Sequence, residues 1–170
     1  MLIDPITLTP QELQTAIIRD PLTVSPDTTV VVAITQMSGV RTICETIQNH
    51  HSHLNELYLG ARSSCVFVVE NGNLIGMLTE RDVVRLSAQQ LALDRLTIRE
   101  VMTASIITLR ESAFTDLFVA LNLIQQYHIR HLPILDDQDR LVGLVTHESL
   151  RQISRPINLL RLRLVTEVMT

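Results

Sequence analysis

The order of apolar runs and turn signals in this chain occurs twice, and a duplicated unit constrains the fold more than any single motif, because each copy buries its apolar face against the other. In the first copy Leu22-Thr23-Val24 is extended, and Ile34, Met37, Val40, Cys44 and Ile47 recur every three or four residues, the period of a half-buried helix. Two apolar runs follow, Cys65 to Val69 and Leu74 to Leu78, separated by a segment containing Asn71-Gly72. Both turn residues accept positive φ, so this spacing predicts a tight hairpin. Thr79 then opens a helix whose face carries Val83, Val84 and Leu86.

The second copy keeps this order. Ile106-Ile107-Thr108 is extended, a helix face of Phe114, Leu117, Phe118, Leu121 and Ile124 follows, and a second hairpin joins Leu132-Pro133-Ile134-Leu135 to Leu141-Val142-Gly143-Leu144-Val145 around Asp136 to Asp139. Thr146 opens a helix through Leu150. The repeating unit is strand, helix, strand, strand, helix, which predicts an α+β fold. The first copy carries about 18 extra residues within positions 39–62, read as an extended first helix and a surface loop.

Thr9-Pro10-Gln11-Glu12 ahead of the first copy reads as a capped helix start, with Leu13, Ala16 and Ile17 on its apolar face and Asp20-Pro21 as its stop. Ser25-Pro26-Asp27 is a second start signal. Glu100-Val101-Met102-Thr103 opens the second copy and returns as Glu167-Val168-Met169-Thr170 after a connecting helix over Ile157 to Leu164. The resulting division is 1–95 for the leading helix and first repeat, 96–155 for the second repeat, and 156–170 for a connecting helix and the start of a further repeat in a longer parent.

Composition excludes several function classes. The net charge of −4 gives no basic stripe for nucleic acid, and the cluster of Arg155, Arg161 and Arg163 is too sparse to reverse that. No apolar stretch is long enough to cross a membrane. Cys44 and Cys65 lie in apolar stretches outside any paired motif, which fits buried free thiols in the cytoplasm. The chain has no nucleophile elbow and no glycine-rich phosphate loop, so catalysis is not expected. His50, His51 and His53 cluster, but without a fourth ligand at a metal-site spacing they read as the solvated end of a helix, and no metal is expected.

The segment Gly76-Met77-Leu78-Thr79-Glu80-Arg81-Asp82, together with Arg130-His131-Leu132-Pro133-Ile134 and Glu100-Val101-Met102-Thr103, resembles the cystathionine β-synthase (CBS) domain pattern in two copies. The resemblance implies a Bateman module: two βαββα repeats related by a pseudo-twofold axis and packed through their sheets, with clefts that hold adenosine nucleotides in relatives. It also implies a homodimer that regulates an attached output domain, such as a histidine kinase or diguanylate cyclase, in a bacterial signalling protein. No cofactor is required; the regulatory ligands implied are AMP, ADP, ATP or S-adenosylmethionine.

Two readings of Thr79 and Asp82 stand side by side. Asp82 can accept ribose hydroxyls while the helix N-terminus at Thr79 meets a phosphate, or both can serve only as a helix cap. Thr146 and Ser149 hold the corresponding positions in the second copy, where a hydroxyl replaces the carboxylate, so the second cleft is expected to be weak or empty. Arg130 and His131 match positions where relatives place basic groups near phosphates, His131 with a charge that depends on pH near neutrality; their first-copy counterparts are read as Ser63 and Ser64. Solvent cover for a strand edge is the alternative role for both. Val24 and Ile107 are candidates for the base slot, with a core role as the alternative. The competing function is a structural dimerisation or spacer module without ligand.

Overall fold

The structure, a computed structural model, describes residues 9–46 and 64–153. The elements in chain order are α1 (Pro10–Gln14), β1 (Thr23–Val24), α2 (Val30–Thr46), β2 (Cys65–Glu70), β3 (Asn73–Thr79), α3 (Glu80–Ala88), α4 (Ile98–Val101), β4 (Leu109–Arg110), α5 (Leu117–Gln126), β5 (His131–Leu135), β6 (Leu141–Thr146) and α6 (147–153). They form two three-stranded sheets, ordered β1-β2-β3 and β4-β5-β6. Each has a parallel edge strand and an antiparallel hairpin. This is the α+β arrangement of two βαββα repeats that the duplicated pattern predicts.

The two hairpins share one register. Cys65 pairs with Thr79 and His131 with Thr146, Val68 with Gly76 and Ile134 with Gly143, and both ladders are irregular at the next residue. The shared register corrects two sequence equivalences. Cys65 is the counterpart of His131, so Ser64 is that of Arg130, and the pairing of Ser63-Ser64 with Arg130-His131 is one residue out of step. Val24 pairs with Val68 and Leu109 with Ile134, so Leu109 rather than Ile107 answers to Val24. Asn71 and Gly72, with φ of 50° and 84°, make the tight turn that Asn-Gly predicts.

Each repeat sends its leading segment to the other. Ile18 N donates to Leu144 O at 2.8 Å and accepts in return through its carbonyl at 3.0 Å, which adds the first leading segment to the edge of the second sheet. Thr103 makes the reciprocal pair with Met77 of the first sheet, at 2.9 and 3.0 Å. The side chains follow the backbone: Leu13, Ala16 and Ile17 are buried with Leu132, Ile134, Val145 and Leu150 of the second repeat, whereas Ile98 is buried with Val66, Val68 and Leu78 of the first. Between the sheets lies a third cluster of Ile18, Cys65, Phe67, Met77 and Leu144. Alternation along the strands separates these layers, since Val66 and Val68 face helices while Cys65 and Phe67 face the other sheet.

Local signals place the helices. Thr9 and Glu12 form the expected capping box, although α1 ends at Gln14 and Ala16 and Ile17 are buried beyond it. Ser25-Pro26-Asp27 makes a turn, with Thr28 N donating to Ser25 O, and α2 starts later, at Val30. Two face assignments are corrected. Val84 and Phe118 are 70% and 72% exposed, whereas Leu86 in α3 and Ile124 in α5 are buried as the period predicts and Ala120 is buried beside Ile124. Asp116 caps α5 from outside, leaving Phe114 buried ahead of the helix. The extended piece expected over Ile106 to Thr108 begins at Leu109. Val40 and Cys44 lie in α2, but Ile47, the histidine cluster at 50–53 and everything after 153 lie outside the described residues.

The glycines at the crossing points test this architecture. A Cβ on Gly143 would overlap Ile17 Cγ2 and stand 3.0 Å from Ile18 O, whereas one on Gly76 would overlap only the flexible Met102 side chain. Gly143→Ala should therefore lower stability by about 1–3 kcal/mol, and more than Gly76→Ala. Gly39→Ala, with nothing within 4 Å in the helix, should raise it by about 0.5–1 kcal/mol. Urea midpoints of the three variants read this order directly.

Candidate functional site

A cleft of about 390 Å³ opens where the two repeats meet. Ser64, Met77 and the segment from Thr79 to Asp82 line it from the first repeat, and Thr103 and the segment from His128 to His131 from the second. Sequence order scatters these groups. The pairing of Met77 with Thr103 brings them together, because it carries the start of the second repeat across the end of β3.

On the first side α3 points its N-terminus at the cleft. Thr79 N and Thr79 Oγ1 both donate to Asp82 Oδ2, at 3.0 and 2.7 Å, while Asp82 N donates to Thr79 Oγ1 at 3.4 Å. The capping reading is thus correct in its geometry, and the same carboxylate lines the cleft. Asp82 Oδ1 accepts from Arg85 at 3.1 Å. That guanidinium is 59% exposed, so the pair is weak and easily displaced. The second copy repeats the cap with a hydroxyl: Thr146 N donates to Ser149 Oγ at 3.0 Å, Ser149 N donates to Thr146 Oγ1 at 3.1 Å, and Ser149 Oγ donates to Thr146 O at 3.0 Å. Ser149 is buried and fully used within its own turn.

On the second side Arg130 is exposed at the cleft, and neither Arg130 nor Arg81 has a carboxylate partner among the described residues. His131 behaves otherwise than expected. Its Nε2 and Ser64 Oγ form a 2.8 Å hydrogen bond across the repeat junction. Burial, with the Arg130 charge second, pushes its pKa down to about 4, so the imidazole is neutral at physiological pH and does not supply a charge that titrates near neutrality. Cys65, behind Ser64, is a buried thiol pushed up to about 12 by burial and then by Glu80, and it stays protonated.

Thr79, Asp82, Arg130 and His131 therefore meet in one cleft, while Thr146, Ser149, Val24 and Ile107 lie elsewhere. Val24 is buried in the first helix-side core, and Ile107 packs against the second. Sequence reasoning missed Met77, Thr103, Glu80, Arg81, His128 and Ile129. Glu80, Arg81, His128 and Ile129 adjoin assigned residues and were within reach of the pattern; Met77 and Thr103 enter only through the bridge between repeats. Among the described residues no group of three or more metal-ligating side chains occurs, and no helix is long and apolar enough to cross a membrane.

Two βαββα units with exchanged leading segments and a cleft at their junction define a tandem-repeat module. The CBS domain family matches residues 14–89 and 98–155, and the chain belongs to that family. L-aspartate semialdehyde sulfurtransferase of Methanocaldococcus jannaschii is 37% identical over 86 residues, which are 51% of this chain and 16% of that protein. Two solved structures share the fold. The CBS domain pair of protein MJ0100, in complex with 5′-methylthioadenosine and S-adenosyl-L-methionine, superposes with a TM-score of 0.58 at 21% identity, covering 83% of this chain and 97% of that one. A CBS domain protein from Pyrobaculum aerophilum complexed with AMP gives 0.59 at 19% identity, covering 79% and 88%.

The buried imidazole predicts a pH dependence. The folded-state pKa of His131 is below its unfolded value of about 6.5, so between those values the unfolded chain binds more protons and stability rises with pH. The contribution is complete above pH ~6.5 and is lost as pH falls towards 4, amounting to about 1–3 kcal/mol. Urea unfolding at pH 7 and pH 5 should show this loss in the wild type and a smaller one in His131→Gln.

Proposed function

We propose that this chain is a regulatory module whose junction cleft binds an adenosine-containing nucleotide and passes the signal to an attached output domain. The observation that carries this reading is the meeting, in one cleft, of a helix N-terminus, the Asp82 carboxylate and two guanidiniums without carboxylate partners among the described residues. The exposed N–H groups and dipole of α3 favour a phosphate, and Arg130 adds charge from the opposite repeat. Asp82 Oδ1 becomes available to a ribose hydroxyl when Arg85 swings into solvent, while Oδ2 keeps the cap. The complexes of two relatives with AMP and with adenosyl ligands support the ligand class. AMP, ADP, ATP and S-adenosylmethionine are the candidates.

A leading helix and first repeat at 1–95, a second repeat at 96–155, and a connecting helix with the start of a further repeat at 156–170 act as a cytoplasmic homodimer in a bacterial signalling protein and hold no catalytic role of their own. A ligand shifts such a module only by its differential affinity for two arrangements, and a tens-of-fold preference is a coupling of about 2 kcal/mol. The Ser149 side is the weaker partner, because a hydroxyl already used in its own turn cannot hold a diol.

One observation favours a second reading, a spacer or dimerisation module without ligand: Asp82 spends both oxygens on protein donors. A thermal-shift panel separates the two. A nucleotide at a hundred times its dissociation constant should stabilise the fold by about 2.7 kcal/mol, whereas a spacer ignores all four ligands. Asp82→Asn should abolish the shift and keep most of the stability, while Asp82→Ala should also lose about 1 kcal/mol of helix capping. Equal shifts for wild type and Asp82→Asn would remove the carboxylate from the site.

A further inference from the structure

The second repeat's side of the cleft is built on the end of α5, and that end carries an unusual residue. Tyr127 N donates to Leu123 O, His128 N to Gln125 O at 3.3 Å, and Ile129 N to Ile124 O at 3.1 Å. The last two bonds are the paired closures of a Schellman motif, completed by the packing of Ile129 against the core that contains Ile124. His128 stands at the position after the cap with φ of 52°. Glycine is the residue this position favours, because a Cβ crowds the backbone in the left-handed region.

His128 is one of five non-glycine residues with positive φ among those described, with Asp20, Asn71, Gln90 and Asp139, and among them it alone lines the cleft. Its side chain is exposed there, two residues from Arg130. The other histidine of the cleft is held by Ser64 across the junction. His128 thus keeps a conformational cost that glycine would remove, at a place where its imidazole faces the same space as Arg130 and the α3 N-terminus.

We propose that His128 is a specificity-determining residue of the cleft, its ring N–H donating to the anionic group of a phosphorylated nucleoside and so selecting it over the uncharged nucleoside. The proposal rests on the nucleotide-binding reading above. The strain and the cationic neighbours point the same way: the left-handed turn places His128 in the lining of the cleft, and Arg130 and Arg81 make that region suited to an anion.

Glycine at 128 fits the turn better than histidine, so His128→Gly is expected to fold, and the test is a calorimetric titration of wild type and variant with AMP and with adenosine, beside thermal melts. The expected result is a melting temperature raised by about 2–4 °C, AMP affinity weakened about tenfold, and adenosine affinity unchanged. An AMP affinity equal to that of wild type, or equal losses for AMP and adenosine, overturns the role of His128 while leaving the nucleotide site standing. A lowered melting temperature overturns the argument from strain. Wild-type protein that binds neither compound overturns this inference, and the nucleotide reading falls with it when ADP, ATP and S-adenosylmethionine also leave the melting temperature unchanged.

Discussion

The structure depends on the exchange of leading segments. Two backbone hydrogen bonds at Ile18 and Leu144, and two at Thr103 and Met77, bridge the edge of each sheet to the segment that leads into the other repeat. Neither repeat is complete alone, because Leu13, Ala16 and Ile17 fill the core of the second and Ile98 that of the first. Cooperativity follows from this arrangement: withdrawing one leading segment uncovers apolar surface on the opposite repeat and leaves buried backbone groups unpaired. Gly76 and Gly143 are the positions where the crossing segments pass over the strands, and their missing side chains make the close approach possible.

The cleft is a product of that exchange. Thr103 reaches the end of β3 because its segment is paired there, and the segment from His128 to His131 faces the α3 N-terminus because the two sheets pack around Phe67, Met77 and Leu144. A cleft assembled from both repeats is sensitive to their relative placement. The Ser64–His131 hydrogen bond crosses this junction, and the neutrality of His131 keeps a buried charge from standing beside the exposed Arg130.

Asp82 and Ser149 show how one local device yields two environments. Both occupy the third position of a helix, and both return a side-chain oxygen to the backbone N–H of a capping threonine. The carboxylate keeps a second oxygen, held only by an exposed arginine. The hydroxyl has no such oxygen and gives its proton to the preceding turn. Capping and ligand contact are therefore not rivals at Asp82, whereas at Ser149 the cap consumes the whole group.

Contacts close in sequence were legible from sequence. The Asn71-Gly72 hairpin, the Thr9–Glu12 and Thr79–Asp82 caps and the doubled βαββα order each follow from residues a few positions apart, whose spacing fixes backbone geometry. Helix faces were legible only in part: period alone put Val84 and Phe118 inside, and the true register was set by what each helix packs on. Apolar pattern alone does not pair His131 with Cys65 or Leu109 with Val24, because only hydrogen-bond register identifies these partners. Sequence by itself determined that there would be two copies, where their strands turn, and which copy would carry the carboxylate. Tertiary structure decided that the leading segments change places, that Thr103 and His128 line the same cleft as Asp82, and that His131 loses its charge. Those outcomes depend on burial and on pairing between residues far apart in the chain, and local spacing carries no information about either.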